Sequence, residues 1–161
     1  AENYFGGKIG NSNTLASRIN YSEGNIGSGQ GWHRDGINFQ FKAMVYLCDV
    51  EIVNGPFQII KGSHKLGRIL RSAAIMNGEA LNTRFSDEQV KRLIDKYPDD
   101  YKVLMAKAGT LVFADTSSLH TGMPLGEGGS RYALFNYYYP SYLLEPMIKR
   151  FRNIMKTSEY G

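Results

Sequence analysis

His33 and Asp35 stand two positions apart in Gly31-Trp32-His33-Arg34-Asp35-Gly36. Alternate side chains of an extended segment point to the same face, so this imidazole and this carboxylate can reach one ion. A second imidazole, His120 in Ser117-Ser118-Leu119-His120-Thr121-Gly122, follows long after, at the end of a stretch with strand character. Two histidines and one carboxylate on one face of an octahedral ion leave positions open for a chelating cosubstrate and dioxygen, the usual arrangement of non-haem iron(II) centres. Zinc uses the same donor types. His-x-Asp alone is a weak signal, and a strand-end histidine bonded to its neighbours is the ordinary explanation of it. Order adds weight: Arg131 lies eleven residues after His120 and opens the alternating stretch Arg131-Tyr-Ala-Leu-Phe-Asn, in which Ala133 and Phe135 share its face. An inward guanidinium beside a small residue has room to hold a carboxylate through two parallel hydrogen bonds.

The elements that must carry these residues are mostly strands. Thr14–Tyr21, Gly31–Asp35, Gln40–Asp49, Pro56–Ile60, Val103–Ala106, Thr110–Ala114 and Ser130–Tyr139 are short, rich in β-branched or aromatic residues, and bounded by Gly, Asn, Asp or Pro. One helix is expected from Ser86, where Gln89 completes a capping box before the periodic Val90, Leu93 and Ile94, and it should end near Pro98. Gly67–Thr83 reads as helix then loop, since Ile69, Leu70, Ala73 and Ala74 are periodic while Gly78 and Asn82 break the second half. Met147, Ile148, Phe151, Ile154 and Met155 recur at helical spacing near the C-terminus. The glycine-rich run Gly24–Gly31 reads as a turn-forming loop rather than a linker. Many short strands with few helices predict an all-β core, a double-stranded β-helix of jelly-roll, cupin-like type, which commonly carries a ligand between its sheets. With 161 residues the expectation is a single domain over 1–161.

Composition narrows the partners. The net charge of +4 invites a polyanion, but the basic residues are dispersed, and the densest group, Lys149 to Arg152, sits in the periodic C-terminal segment as a solvated helix face. Nucleic acid is therefore disfavoured, while attraction to an anionic small-molecule substrate stays open. The apolar runs are too short to cross a bilayer and no leader opens the chain, so no membrane partner is expected. A single cysteine, Cys48, excludes an internal disulfide framework and agrees with a cytoplasmic location; nothing near it in sequence activates the thiol, which is expected to be buried.

The chain resembles the phytanoyl-CoA dioxygenase-like family, which includes the ectoine hydroxylases, from Ser17 to about Pro140. Asp49-Val-Glu-Ile-Val-Asn-Gly-Pro-Phe-Gln-Ile-Ile-Lys-Gly-Ser-His-Lys is similar to the family's Asn-Gly-Pro strand and Gly-Ser-His turn, and Ala108-Gly-Thr-Leu-Val-Phe-Ala-Asp to the strand before the late histidine. The resemblance implies an iron(II)- and 2-oxoglutarate-dependent dioxygenase that consumes O2, hydroxylates a small molecule and releases succinate and CO2. It puts the metal on His33, Asp35 and His120, and the cosubstrate on Arg131. Ser17-Arg-Ile-Asn20 is similar to an ectoine hydroxylase stretch whose asparagine touches 2-oxoglutarate, which adds Asn20. Asp35 favours hydroxylation, because related halogenases have a small residue there. Three departures stand out. Gly122 takes the place of a family hydroxyl residue that helps hold the cosubstrate's distal carboxylate, so Thr121 or a tyrosine is the expected substitute. Lys61 replaces a common proline, and the family's long N-terminal helical region is missing, as in a compact or excised member.

Other residues divide between site and scaffold. Trp32 and Phe39 flank the first pair and can shape a substrate pocket, although strand aromatics more often pack a core. Arg34 points away from Asp35 on an ideal strand and is a candidate for the site mouth, with a solvated rim as the plainer reading. His64 is expected to stabilise its turn. Lys42 and Tyr46 share a strand face whose inward or outward sense alternation leaves open, and Tyr137 to Tyr139 read as sheet packing. Two rivals differ in class. One is a non-catalytic small-ligand or sugar-binding jelly roll. The other is a nucleic-acid demethylase, which would carry a second arginine where Tyr137 stands.

Overall fold

Alternating side chains and their turn residues build seven strands and three helices in the computed structural model, which describes residues 1–37 and 40–142. In chain order they are α1 (Glu2–Phe5), β1 (Ile9–Asn20), β2 (Phe41–Tyr46), β3 (Phe57–Ile60), α2 (Leu66–Met76), α3 (Asp87–Lys96), β4 (Tyr101–Leu104), β5 (Leu111–Asp115), β6 (His120–Gly122) and β7 (Ser130–Pro140). Both sheets are antiparallel: one runs β1-β7-β2-β5, the other β4-β3-β6. This is the all-β, jelly-roll architecture that the strand pattern predicts. Among the described residues no helix is long and apolar enough to cross a membrane.

Apolar contacts fall into two groups. Met44, Tyr46 and Ala133 from the larger sheet meet Phe57 and Val50, with Ile59 and Leu104 of the smaller sheet packed against them, so this core glues sheet to sheet. The second group, Trp32, Ile60, Met76, Val90, Leu93 and Leu119, is where α2 and α3 cover the other side of β3. Residues Phe57 and Ile59 thus serve one core and Ile60 the other, so β3 is buried on both faces, and the buried Gln58 between them accepts from the Tyr101 hydroxyl at 2.7 Å.

The capping box is formed as expected: Gln89 N–H donates to Ser86 Oγ at 3.3 Å and Ser86 N–H donates to Gln89 Oε1 at 3.0 Å, so α3 starts at Asp87. α2 ends with Asn77 in the left-handed conformation (φ 51°), before the predicted loop. Two strand expectations change. Gly31–Asp35 is no strand but a single point of bridging at His33, and β6 is a short strand that no periodicity announced. The C-terminal helix expected over Met147–Met155 lies outside the described residues, as does Phe39.

Candidate metal centre

The two histidine segments are joined by main chain. His33 N–H donates to the His120 carbonyl at 3.0 Å, and His120 N–H returns a bond to the His33 carbonyl at 2.9 Å. On its other side this segment is held by Arg34 N–H to the Thr83 carbonyl (2.9 Å) and Phe85 N–H to the Trp32 carbonyl (3.1 Å), while Asp35 N–H donates to the Thr116 carbonyl at 3.0 Å. The backbone therefore fixes His33, Asp35 and His120 together before any side chain is considered.

One donor atom from each of His33, Asp35 and His120 lies within 4.8 Å of the others. His33 Nε2 is 3.5 Å and His120 Nε2 3.8 Å from Asp35 Oδ1, and the two imidazoles lie 4.2 Å apart, centroid to centroid. Each ring is oriented by its other nitrogen. His33 Nδ1 sits 2.8 Å from the Gly31 carbonyl and His120 Nδ1 2.9 Å from the Ser118 carbonyl. A carbonyl only accepts, so both Nδ1 atoms carry hydrogen, which leaves each Nε2, the nitrogen turned towards Asp35, as the ring's metal-binding atom. Two imidazole nitrogens and a carboxylate oxygen converging on one point fit a divalent metal.

Electrostatics prepare the same state. Burial drives the His120 ring down to about 3, against the opposing pull of Asp35, so it is neutral at physiological pH. Burial alone would raise the Asp35 carboxyl, but contact with His33 and the charge of Lys42 outweigh it and hold the group well below the usual carboxylate range. Asp35 exposes its main chain, while its side chain is only 17% accessible. Its second oxygen, Oδ2, is paired with Lys42 Nζ, and that ammonium lies 4.6 Å above the Tyr137 ring.

These groups open into a cavity of about 340 Å³ between the sheets. β1 contributes Leu15, Ser17 and Ile19, β2 contributes Lys42 and Met44, and β7 contributes Arg131, Phe135 and Tyr137, always alternate residues. Arg131 is 3% exposed, donates from Nη2 to Ser28 Oγ at 2.7 Å, and has no acceptor for Nε or Nη1 among the described residues. A buried cation with idle donors and no carboxylate beside it fits an anion entering the cavity, and 2-oxoglutarate offers one.

Not every residue singled out from the sequence arrives here. Asn20 is exposed and accepts from Arg18 Nε at 3.4 Å; on β1 the odd-numbered residues face the cavity, so Asn20 falls on the outer side. Trp32 belongs to the helix-facing core rather than the pocket. Arg34 is neither at the mouth nor on a solvated rim: it is 3% exposed, donates from Nη1 to the Ser63 (2.7 Å) and Ser117 (3.4 Å) carbonyls, and so ties together the turns before α2 and β6. Thr121 points off the cavity face, its hydroxyl 3.4 Å from the Ser28 carbonyl and 3.1 Å from that of Gly122. His64 bonds Ser118 Oγ (2.8 Å) and the Tyr4 hydroxyl (3.2 Å) rather than joining His33, Asp35 and His120. Cys48 is half-buried and accepts from Tyr132 N–H at 3.4 Å. The sequence reading missed Ser28, and left Lys42 and Tyr137 unassigned or as packing; only the face of β2 and β7 could have found the last two.

The family model for phytanoyl-CoA dioxygenase (PhyH) matches residues 2–132, well over half of the chain. Among curated proteins none matches. The fold is similar to that of the non-haem α-ketoglutarate-dependent epimerase SnoN from nogalamycin biosynthesis, at 16% identity and a TM-score of 0.60 over 88% of this chain and 51% of SnoN. It is also similar to HygX from Streptomyces hygroscopicus, solved with nickel and 2-oxoglutarate bound, at 16% identity and a TM-score of 0.57 over 85% of this chain and 58% of HygX. AviO1 from Streptomyces viridochromogenes Tue57 shares 17% identity and a TM-score of 0.58 over 87% of this chain and 55% of its own. The chain thus spans 51% to 58% of these three proteins' lengths.

Proposed function

The chain belongs to the phytanoyl-CoA dioxygenase family, and on that footing we propose that it is an iron(II)- and 2-oxoglutarate-dependent dioxygenase that hydroxylates a small molecule, with succinate and CO2 as coproducts. The observation that carries this reading is the convergence of two imidazole nitrogens and a carboxylate oxygen within 4.8 Å, on the wall of a cavity that also contains a buried arginine with idle donors among the described residues.

His33, Asp35 and His120 would hold iron(II), and Arg131 would hold the distal carboxylate of 2-oxoglutarate. Bound together, the metal and cosubstrate supply the oxidising power that breaks an unactivated C–H bond, using dioxygen. The rest is the protein's work. The Gly31 and Ser118 carbonyls keep both rings turned with Nε2 inward. Lys42 occupies Oδ2 of Asp35 and leaves Oδ1 facing the histidines, which supports a one-oxygen ligand. Leu15, Ile19, Met44, Phe57 and Phe135 give the cavity apolar walls that limit water around the reacting centre. Strands of both sheets, β1, β2 and β7 of one and β3 and β6 of the other, line this one site, which supports reading the chain as one oxygenase domain.

Succinate formation from labelled 2-oxoglutarate, under air with added iron(II), tests the reading. His120→Ala should lose iron affinity and turnover together. Arg131→Ala should keep iron but weaken 2-oxoglutarate, seen anaerobically as a lost metal-to-cosubstrate charge-transfer band. Iron binding by His120→Ala at wild-type affinity would sink the metal assignment, and an unaltered band in Arg131→Ala the cosubstrate assignment.

A further inference from the structure

We propose that Ser28, carried onto the cavity by the glycine-rich loop, is a cosubstrate-binding residue whose hydroxyl donates to the same carboxylate that Arg131 pairs with. The proposal rests on the cosubstrate reading above and adds a residue from outside the barrel strands.

The case begins with hydrogen-bond accounting. Ser28 Oγ accepts from Arg131 Nη2 at 2.7 Å. A hydroxyl also carries one hydrogen to give, and among the described residues nothing accepts it. Arg131 Nε and Nη1 are buried and equally idle. Ser28 and Arg131 line the same cavity, so its wall presents a serine O–H and guanidinium N–H groups side by side with no acceptor for them. Buried donors in that number call for an acceptor with several lone pairs, and a carboxylate has them.

The position is built rather than incidental. A side-chain carbon at Gly122 would lie 2.0 Å from Ser28 Oγ and 2.8 Å from Arg131 Nη2, so the strand leaves a gap that the loop serine fills. The loop reaches it through two left-handed glycines, Gly27 (φ 89°) and Gly29 (φ 82°), and a carbon at Gly27 would come within 2.0 Å of the Gly122 carbonyl oxygen. The Ser28 carbonyl is then pinned by Gly122 N–H at 3.2 Å and by the Thr121 hydroxyl at 3.4 Å. Thr121 accordingly acts on the loop backbone, and Ser28 supplies the hydroxyl at the arginine. Because the loop forms part of the carboxylate's wall, cosubstrate binding and loop order should be linked reciprocally.

The test measures binding rather than turnover. Anaerobic titration of the iron(II)-loaded protein with 2-oxoglutarate should show Ser28→Ala weakened about ten- to a hundredfold, the range for a hydrogen bond to a charged group, with iron affinity unchanged. The double substitution Ser28→Gly with Gly122→Ser, which returns a hydroxyl from the strand, should recover most of the loss. Amide hydrogen exchange over 24–31 in the wild-type protein should slow when 2-oxoglutarate is added. Wild-type affinity in Ser28→Ala beside a weakened Arg131→Met overturns the role of Ser28 alone; wild-type affinity in both overturns the carboxylate site and this proposal with it. If Ser28→Ala does not fold, hydrogen exchange decides, and a loop indifferent to 2-oxoglutarate refutes the proposal.

Discussion

Replacing Gly29 by alanine should damage iron binding without touching a ligand. Gly29 has φ 82°, and a carbon added there would sit 2.1 Å from His33 Cε1 and 2.9 Å from each ring nitrogen. Ordinary carbon contacts need about 3.5 Å, so the imidazole must retreat by more than ~1 Å. That motion breaks its 2.8 Å Nδ1 bond to the Gly31 carbonyl, which orients the ring. The left-handed backbone costs an alanine about 1–2 kcal/mol and the lost bond about 1 kcal/mol, so the folded state should lose roughly 2–3 kcal/mol. Disturbing the group that orients a metal-binding histidine typically lowers affinity about 10- to 100-fold. Gly24→Ala is the control, because Gly24 shares the backbone strain (φ 73°) yet has nothing within 4 Å of the added carbon. Anaerobic competition for iron(II) against a coloured chelator separates the two effects. If both variants bind iron equally well, the His33 ring does not depend on the space that Gly29 leaves it, and the description of the site is wrong.

Two further expectations follow from the electrostatics. Lys42→Met removes the ammonium on Asp35 Oδ2, where both side chains are largely buried (13% and 17% accessible); breaking such a pair costs about 3 kcal/mol. The loss should be large in metal-free protein and much smaller with iron(II) bound, because the ion then neutralises the carboxylate, and equal falls in Tm with and without iron would contradict this. Acid should also destabilise the metal-free protein. His120 titrates near 6.5 when unfolded and near 3 when folded, so its contribution is complete above about 6.5 and drains away as pH falls towards 3. Between pH 6.5 and 5 this amounts to about 2 kcal/mol, with His64, also lowered by burial, adding in the same sense. Urea unfolding at pH 7 and pH 5 measures it; a flat profile would mean that His120 is not held neutral.

What the sequence disclosed depended on whether a residue's position was governed by a period. Arg131 and Phe135 were legible because β7 alternates and its alternate residues reach the cavity, and the Ser86–Gln89 box was legible because capping is local chemistry. His33 and Asp35 were legible as a pair for a reason that only partly holds: their segment is extended, yet it is fixed by bonds to residues 83, 85, 116 and 120 rather than by a strand ladder. Arg34 and Trp32 could not be placed, since which side of that segment meets α2, α3 and the 63 and 117 turns is decided by tertiary packing. The same holds for Asn20, which lies one residue off the cavity register of β1. Ser28 was out of reach altogether, because a glycine-rich loop has no period and its target, the gap at Gly122, exists only once β6 and β7 are assembled.

The reciprocal main-chain bonds between His33 and His120 carry a consequence for how the molecule comes together. The two partners are distant along the polymer, so closing that contact costs chain entropy that local structure cannot offset, and it should be made late in folding. On the proposed assignment, iron would grip all three donors only after this closure. The ion would then act as a clasp on the finished topology: at a hundredfold excess over its dissociation constant it would add about 2.7 kcal/mol against global opening, and the rate at which tight iron binding develops during refolding would time the last step of barrel assembly.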